Sequence, residues 1–463
     1  MGYFERLLIV VLIALSIPLA AQGPEPDGTT PLHKAVLAND LPGVQKLLRS
    51  GANPSAANRY GVTPLSLAAV NGNPALIETL LKAGADSKAN LPGGQTLLMT
   101  AVRTGNPDVV RILLERGADP NAVELSNGET ALMWAASENH AEVVRLLVAH
   151  GAEVNVRSKS LEYKTDRFGL EGVLTILPRG SMTPLMYAAR EGSAAAARAL
   201  ADAGASLNLT DPEGTTALLL AIMNSHYDTA AVLLEKGADP DIGDSAGMAA
   251  LYAAVDMNTL IEIYGRPTRR TSDQLSALGL IQKLLERGAN PNATLKSPAL
   301  QRAHTPGDRN LGEGATPLMR AARNGDSAAM RLLLQHGANP ALEQKNHITA
   351  LMLAAGLGRG LGTFADEFST EAQQLDAVKV LLNQHVEINA ANDVGQTALH
   401  FAALSMDSVV ELLVMNGASL DARDKQNRTP LDMALGKGGP GRAGAAATPR
   451  PGTVALLRRL GAH

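Results

Sequence analysis

The sequence predicts an all-α repeat solenoid built from stacked helix-turn-helix units. The first observation is a pattern of residues that recurs at steps of 32 to 34 residues along most of the chain. The second is composition, because 45% of the 463 residues are hydrophobic but only 3% are aromatic. Thin stacked repeats can fill their layers with Ala and Leu, since each repeat buries its apolar face against its neighbours. We therefore expect one elongated repeat domain rather than several globular ones.

One repeat unit can be followed residue by residue in Gly314–Leu342. The Thr316 hydroxyl can cap a first helix, and Pro317 then occupies the first helical position, where its missing N–H costs nothing. Gly325 follows that helix and begins the turn to a second helix. Gly337 stands where a helix commonly ends in a left-handed backbone conformation, and a short extended arm follows it. The unit therefore predicts two antiparallel helices, a turn and an arm.

The same unit recurs eleven times, each time after a residue that is usually Gly. The repeats start near Gly28, Gly61, Gly94, Gly128, Gly180, Gly214, Gly247, Gly314, His347, Gly395 and Asn427. Three steps between these starts are longer than the others and indicate insertions, which in compact domains are usually functional or disordered. The predicted insertions lie near residues 158–179, 256–270, 296–313 and 356–368, and a Gly-, Pro- and Ala-rich segment occupies residues 436–452.

The repeat resembles the ankyrin repeat, whose signature is T-P-L-H-x-A followed by two helices and a Gly-Ala-Asp turn. Thr30–Ala35 reads TPLHKA and Thr397–Ala402 reads TALHFA, while Gly117–Ala122 reads GADPNA. The resemblance covers residues 28–461. It implies helix pairs joined by short β-hairpin arms, and a concave surface, formed by the arms and the first helices, that binds protein partners. It also implies that the histidines in this signature make structural hydrogen bonds.

Local signals within the insertions predict where regular structure resumes. Thr271–Gln274 and Thr370–Gln373 both read Thr-x-x-Gln, a capping box, so each predicts the restart of a second helix. Val173–Leu177 is rich in β-forming residues, which predicts that the arm near 158–179 is a long hairpin. Val454–Leu460 has the apolar spacing of a last second helix.

The N-terminal residues 1–21 have the pattern of a secretory signal peptide. A short head containing Arg6 precedes an apolar run that ends at Ala21, where cleavage is expected, and residues 22–27 form a linker. As a helix the run of about 15 residues spans about 22 Å, which is less than the thickness of the bilayer core. The sequence therefore predicts export by the general secretory route to the periplasm or the extracellular space, without a stable membrane anchor after cleavage.

Composition and motif searches argue against several classes of function. The chain has no Cys, which excludes disulfides, thiolate metal sites and Cys nucleophiles. The net charge of −4 shows no excess of basic residues of the kind that nucleic-acid-binding proteins usually carry. No catalytic, phosphate-binding or metal-binding signature is present, and the ten His residues are scattered singly. We therefore expect a protein that is not an enzyme and needs no cofactor or metal.

The candidate binding residues follow from the predicted concave surface and from the insertions. Three Arg residues share one register at the end of a first helix, where a cation also complements the helix dipole. Two large aromatic residues lie on first helices, and basic residues are concentrated in two of the insertions. The predicted partner-binding residues are Arg103, Trp134, Tyr187, Arg190, Arg266, Arg269, Arg270, Arg302, His304 and Arg323. Met residues in the His position of the signature are instead predicted to be core: Met99, Met133, Met186, Met319 and Met352.

These observations favour an exported scaffold that presents a concave surface and long loops to a protein partner of unknown identity. One alternative is a secreted effector that binds a host protein. Another is a small-ligand or enzymatic site between the inserted loops, which would require a mutually close set among Tyr163, Asp166, Arg266, Arg302, His304 and Asp308.

Overall fold

A computed structural model of the chain describes residues 25–161, 179–259, 273–298, 310–358, 369–437 and 449–463. Within these residues, 22 α-helices follow one another as eleven pairs. The pairs are α1 Pro31–Leu37 and α2 Leu41–Arg49; α3 Pro64–Asn71 and α4 Pro74–Lys82; α5 Leu97–Val102 and α6 Pro107–Glu115; α7 Ala131–Ser137 and α8 Ala141–Ala149; α9 Pro184–Glu191 and α10 Ala194–Asp202; α11 Ala217–Met223 and α12 Tyr227–Glu235; α13 Ala250–Thr259 and α14 Ala277–Glu286; α15 Pro317–Arg323 and α16 Ser327–Gln335; α17 Ala350–Ala354 and α18 Glu371–Leu382; α19 Ala398–Ala402 and α20 Asp407–Met415; α21 Pro430–Ala434 and α22 Pro451–Arg459.

The described residues fall into two compact units. The first unit contains residues 25–135 and 142–153, and the second contains residues 136–141 and the described residues from 154 onward. Within the first unit, α1 packs on α3 and α3 packs on α5, while α2 packs on α4 and α4 on α6. Within the second unit the first helices pack in series from α9 to α21, and so do the second helices from α10 to α22. This confirms the predicted fold class of stacked helix-turn-helix repeats.

Ten of the eleven first helices begin at a threonine, as the repeat unit predicts, whereas α13 follows Ala249. The Thr316 hydroxyl accepts a hydrogen bond from the Met319 N–H at 3.2 Å, and Pro317 is the first residue of α15. Gly337, just after α16, has φ 88°. His347 has φ 54° although it replaces the usual turn Gly, a conformation that His tolerates better than most residues. In repeat eight the local signals therefore determine where the helices begin and end.

The histidine of the signature joins one repeat to the next. The Nδ1 atom of His33 accepts a hydrogen bond from the Thr30 N–H at 3.2 Å, so the proton resides on Nε2. Nε2 then donates to the Val62 carbonyl of the following arm at 3.0 Å. Where Met replaces His, as at Met186, the thioether sulfur accepts only the first of these bonds, from the Thr183 N–H at 3.4 Å. The predicted burial of the five Met residues in this position is confirmed.

Met186→His is expected to stabilise the second unit by about 1 kcal/mol. The new imidazole can keep the bond from the Thr183 N–H and add a donor for the Thr215 carbonyl, which stands where Val62 stands in the earlier repeat. The free energy of unfolding from urea titrations measures the gain. Met186→Leu is the control, because it keeps the volume but removes the sulfur acceptor. A histidine variant less stable than wild type would contradict the assigned role.

Two arms contain short antiparallel strands. β1 Ser160–Leu161 pairs with β2 Arg179–Gly180, so the base of the arm predicted near 158–179 is a hairpin. The β-rich run Val173–Leu177 lies outside the described residues. β3 Glu343–Gln344 pairs with β4 Ile348–Thr349 in a later arm.

The structure differs from the sequence prediction around repeat seven. Residues 256–259, predicted as the start of an insertion, are the last turn of α13, because Met257 is buried and its polar neighbours bond to α15 and α16. The predicted cap at Thr271 is also wrong. α14 begins at Ala277, and its cap is Ser276, whose hydroxyl accepts the Gly279 N–H at 3.1 Å.

The other predicted restarts are confirmed. The Thr370 hydroxyl accepts the Gln373 N–H, and the Gln373 side chain accepts the Thr370 N–H, so α18 begins with a capping box. The helix predicted at Val454–Leu460 is α22, with Arg458 and Arg459 exposed. In the part of the chain that the structure describes, no helix combines the length and the apolar character needed to span a bilayer.

Candidate functional site

The candidate site in each unit is the surface made by the arms and the exposed side of the first helices, called here the arm-side face of that unit. Several of the arms end in tips that are closed by a side-chain acceptor. The Asn58 side-chain oxygen accepts the backbone N–H groups of Tyr60 and Val62, each at 3.0 Å. Equivalent residues of other tips accept two N–H groups in the same way: Asp211, Asp244, Asn392 and Asp424. These bonds hold the tips in a defined backbone conformation.

Successive tips are also hydrogen-bonded to one another. In the first unit, the Arg59 N–H donates to the Asp27 carbonyl at 2.8 Å, and the Leu125 N–H donates to the Gly93 carbonyl at 2.9 Å. In the second unit, the Lys425 N–H donates to the Val394 carbonyl at 2.9 Å. Because these bonds run from one repeat to the next, the arm tips within each unit form a fixed platform rather than independent loops.

Ionised carboxylates contribute to the tips. Burial raises the pKa of Asp424, but the Arg428 guanidinium and the backbone N–H groups of Arg428 and Gln426 outweigh burial, so that pKa lies below its ordinary value. The Arg428 Nε donates to Asp424 Oδ2 at 2.7 Å. Burial likewise raises the pKa of Glu124, and three backbone N–H donors from its own tip more than offset it. Both carboxyl groups are therefore ionised acceptors at neutral pH.

Acid is expected to destabilise the last tip through Asp424. Its pKa is lower in the folded chain than in the unfolded chain, so its contribution to stability is present above the ordinary pKa and is lost as pH falls through the folded pKa. Asp424→Asn can keep the two backbone bonds, as Asn392 does, but loses the ion pair with Arg428. We expect the melting temperatures of wild type and variant to differ by a constant amount above about pH 5 and to begin to converge as the pH falls from about 5 to about 3. A constant difference across this range would contradict the assignment.

Two of the predicted binding residues meet on the first unit. The Arg103 guanidinium lies 5.6 Å from the centroid of the Trp134 ring, across two adjacent repeats. The Trp134 indole N–H donates to Glu129 Oε2 at 2.7 Å, and Glu129 belongs to the arm that precedes α7. Arg103 is exposed and Trp134 is half-buried. The contacts fix the indole between a first-helix end and an arm, with one side available to a partner.

A second such pair lies within repeat five of the second unit. The Arg190 guanidinium lies 4.8 Å from the centroid of the Tyr187 ring, and its Nε donates to Glu191 Oε1 at 2.7 Å. Tyr187 is only 6% exposed, so its ring acts mainly as packing. Of these two predicted binding residues, Arg190 is the one whose side chain is accessible to a partner.

Arg323 is placed below the surface rather than on it. It is 3% exposed, and its carbonyl accepts the side-chain N–H of Gln374 from α18 at 3.0 Å. Gln374 is completely buried and also donates to the Ser369 hydroxyl at 2.8 Å. Arg323 therefore belongs to the contact between repeats eight and nine, which leaves it little surface to contribute to a binding face.

Sequence reasoning missed a set of residues between α13, α15 and the start of α16, which we call the repeat-seven polar cluster. Its members are Asp256, Asn258, Thr259, Arg320, Asn324 and Asp326. Arg320, 5% exposed, forms an ion pair with Asp256 and donates to Asn324 Oδ1 at 2.9 Å. Asn258 donates to Asp326 Oδ2 at 2.7 Å, and Asn324 donates to the Thr259 hydroxyl. Arg320 stands at a position where other first helices carry an apolar residue, such as Leu220 or Leu353. A charged residue at this position was the sequence signal that could have revealed the cluster.

The remaining predicted residues lie in the insertions. Arg266, Arg269, Arg270, Arg302 and His304 lie outside the described residues, as do Tyr163, Asp166 and Asp308 of the alternative small-ligand set. Their predicted roles stay predictions. Within the described ranges, no group of three or more His, Asp or Glu side chains is arranged to bind a metal ion.

Comparisons with known proteins agree with the repeat architecture. The family model for ankyrin repeats in three copies matches residues 8–90, 86–158, 170–244, 274–361 and 368–441. The human neurogenic locus notch homolog protein 1 is 29% identical over 234 residues, which is 50% of this chain. A transient receptor potential cation channel subfamily A member 1 homolog of Caenorhabditis elegans is 33% identical over 125 residues, 27% of this chain. The matches span only 6% and 9% of those relatives' own lengths.

Among solved structures, the human ASB11 ankyrin repeat domain is 22% identical with a TM-score of 0.43, and the match covers 57% of this chain and 99% of that one. The ankyrin repeat domain of Bcl-3 is 26% identical with a TM-score of 0.41, covering 56% and 99%. The family model alone matches well over half of the residues. This chain belongs to the ankyrin repeat family.

Proposed function

We propose that the protein is an exported, non-enzymatic scaffold that binds another protein through its arm-side face. Ankyrin repeats generally mediate binding between proteins and are typically not enzymes. The observation that carries the proposal for this chain is the fixed display of Trp134, whose indole is held by Glu129 on one side and by Arg103 on the other. Aromatic and Arg side chains dominate the energy of protein interfaces when they are held in place in this way.

The physical mechanism is preorganisation. A partner that docks on hydrogen-bonded arm tips orders little additional backbone, so less of its interaction energy is lost to conformational entropy. The tip-to-tip bonds of Arg59 and Leu125 and the closed tip at Asn58 give the first unit this property. The inserted segments would then add specificity around a fixed surface.

Capture of a partner on the immobilised full chain tests the binding function, followed by measurement of the dissociation constant of the purified pair. A saturable complex of micromolar or tighter affinity is expected. Trp134→Ala is the informative variant, with Tyr227→Ala, a buried aromatic change on a second helix, as the control for general destabilisation. If no protein saturates the full chain at micromolar concentration, the scaffold function fails.

Export is the second part of the proposal and rests on residues 1–21. Their short charged head, apolar run and small residues at the expected cut support removal by a signal peptidase. Expression of the full chain with a C-terminal tag, followed by fractionation and N-terminal sequencing, tests it. A chain that begins at Gln22 in the exported fraction is expected. A chain that keeps Met1 and stays inside the cell would rule out export.

A further inference from the structure

Exposed apolar surface is concentrated on the first unit. Among the described residues, seven large hydrophobic side chains are about half exposed or more. Five belong to the first unit and form what we call the apolar patch: Leu37 at 54%, Tyr60 at 55%, Val70 at 60%, Val123 at 49% and Leu125 at 67%. The other two, Val394 at 51% and Met415 at 82%, belong to the second unit. Such a concentration of exposed apolar side chains marks interaction sites in soluble proteins.

The patch lies on the arm-side face. Leu37 and Val70 are each the seventh residue after a cap threonine, at the ends of α1 and α3, which pack against each other. Arg103 occupies the same register at the end of α5. Tyr60 and Leu125 are at arm tips, joined to neighbouring tips through the backbone of Arg59 and of Leu125. In the second unit the same helix register carries polar or partly buried side chains: Arg190, Met223, Asp256, Arg323 and Leu404.

The spacing of the patch fits a helix laid across the repeats. Packed helices lie about 8–10 Å apart, so Leu37 and Val70 repeat at roughly that distance. Seven residues of an α-helix advance about 10.5 Å, slightly more than the upper end of that range, so side chains at i and i+7 lie near successive repeats. Side chains on the same face of an extended strand recur about every 6.6–6.8 Å, which does not match the spacing of the repeats. An amphipathic helix in a groove is thus the recognition mode that this spacing favours.

The charged residues around the patch indicate which charges the flanks of the bound helix carry. The Arg59 guanidinium lies 4.6 Å from the Tyr60 ring centroid, and Arg103 lies over Trp134, so both cations are held by aromatic faces. A guanidinium has five N–H donors along its edge, and it forms strong bonds with carboxylates. The carboxylates of these arms make hydrogen bonds of their own. Asp27, which also interacts electrostatically with Arg59, accepts the Thr29 N–H. Glu124 accepts N–H groups of its own tip, and Glu129 accepts the Trp134 indole N–H. The two exposed guanidinium groups therefore favour a partner that brings carboxylates.

We propose that the arm-side face of repeats one to four binds an amphipathic α-helix of a partner protein. The helix carries apolar side chains at seven-residue spacing against Leu37 and Val70, and carboxylates along the flanks that meet Arg59 and Arg103. This inference rests on the proposed scaffold function and places its principal contact on the first unit rather than on the inserted segments.

Trp134, the single Trp of the chain, is a built-in reporter for the test. The full chain is titrated with a Trp-free helical peptide of about 21 residues that has Leu at seven-residue spacing and Glu on the flanks, while Trp134 emission is recorded. The matched peptide has Lys in place of each Glu. We expect saturable binding of the Glu peptide with a change in emission, and at least about tenfold weaker binding of the Lys peptide. Equal binding of both peptides, or binding of neither, would overturn the proposal.

Substitutions in the two units test whether the Glu peptide binds at the apolar patch. Leu37→Ser with Val70→Ser is expected to weaken binding of the Glu peptide about tenfold or more. Val394→Ser with Met415→Ser, changes of apolar side chains on the second unit that are also at least half exposed, is expected to leave it unchanged. All these side chains are at least half exposed, so the fold is retained, and circular dichroism checks this. Equal weakening by both pairs contradicts the assignment. If a captured native partner binds the Leu37→Ser, Val70→Ser chain as tightly as wild type, the inference fails while the scaffold function stands.

Discussion

Asp256→Ala is expected to lower the free energy of unfolding of the second unit by about 3 kcal/mol. The substitution removes the carboxylate that pairs with the buried Arg320 guanidinium and so reduces the compensation of that charge. A buried charge that loses its partner carries most of its desolvation cost uncompensated. The loss is measured from urea titrations, with the slope compared between variants, because a changed slope would mean that the unfolding reaction itself has changed.

A double-mutant cycle separates the ion pair from simple packing. Leu220 and Leu353 stand in the register of Arg320, and Met223 stands in the register of Asp256, so Asp256→Met with Arg320→Leu gives the cluster the side chains that other repeats carry. Replacing a buried pair by apolar residues is often neutral or stabilising. We expect the double variant to be more stable than the single variants Asp256→Met and Arg320→Leu, which are the other two corners of the cycle. Additive losses from the two single changes would show that the pair contributes no coupling energy.

The repeat-seven polar cluster also shows where sequence reasoning stops. Helix caps, turns and second-helix restarts depend on neighbours a few residues away, so Thr316, Gly337 and Thr370 could be assigned from the sequence. The end of α13 depends on Asp256 meeting Arg320, which is 64 residues away along the chain. Without that partner, residues 256–259 resemble the start of a loop. Long-range polar pairs are specified by packing, and a local pattern cannot reveal them.

The sequence likewise predicted one part of the candidate site and missed another part. The shared register of first-helix ends was enough to place Arg103 on the arm-side face, and its stacking on Trp134 follows because adjacent repeats present these positions side by side. The same register reasoning also selected Arg323, which the structure buries against Gln374. Register indicates which side of a helix a residue occupies, but the neighbouring repeats decide whether that side is open. The apolar patch was missed because Leu37 and Val70 resemble core residues in sequence.

Gly180→Ala is expected to cost on the order of 3 kcal/mol, because two effects add at this position. Gly180 has φ 89°, a left-handed conformation that costs an L-residue roughly 1–2 kcal/mol. A Cβ placed there would also lie 1.9 Å from the Lys159 carbonyl oxygen, so β1 and β2 would have to separate.

Gly204→Ala isolates the first effect, since Gly204 has φ 86° and nothing within 4 Å of the added carbon. It is expected to cost about 1 kcal/mol, and the difference between the two variants measures the clash. Amide hydrogen exchange gives an independent readout at two bonds of the arm. The Ser181 N–H, which donates to the Lys159 carbonyl at 3.0 Å, and the Ser158 N–H, which donates to the Met182 carbonyl at 3.0 Å, should exchange faster in Gly180→Ala alone. Equal costs and unchanged exchange would mean that the arm is not closed by the β1–β2 pairing, and the arm-side face would then lack a fixed edge at repeat five.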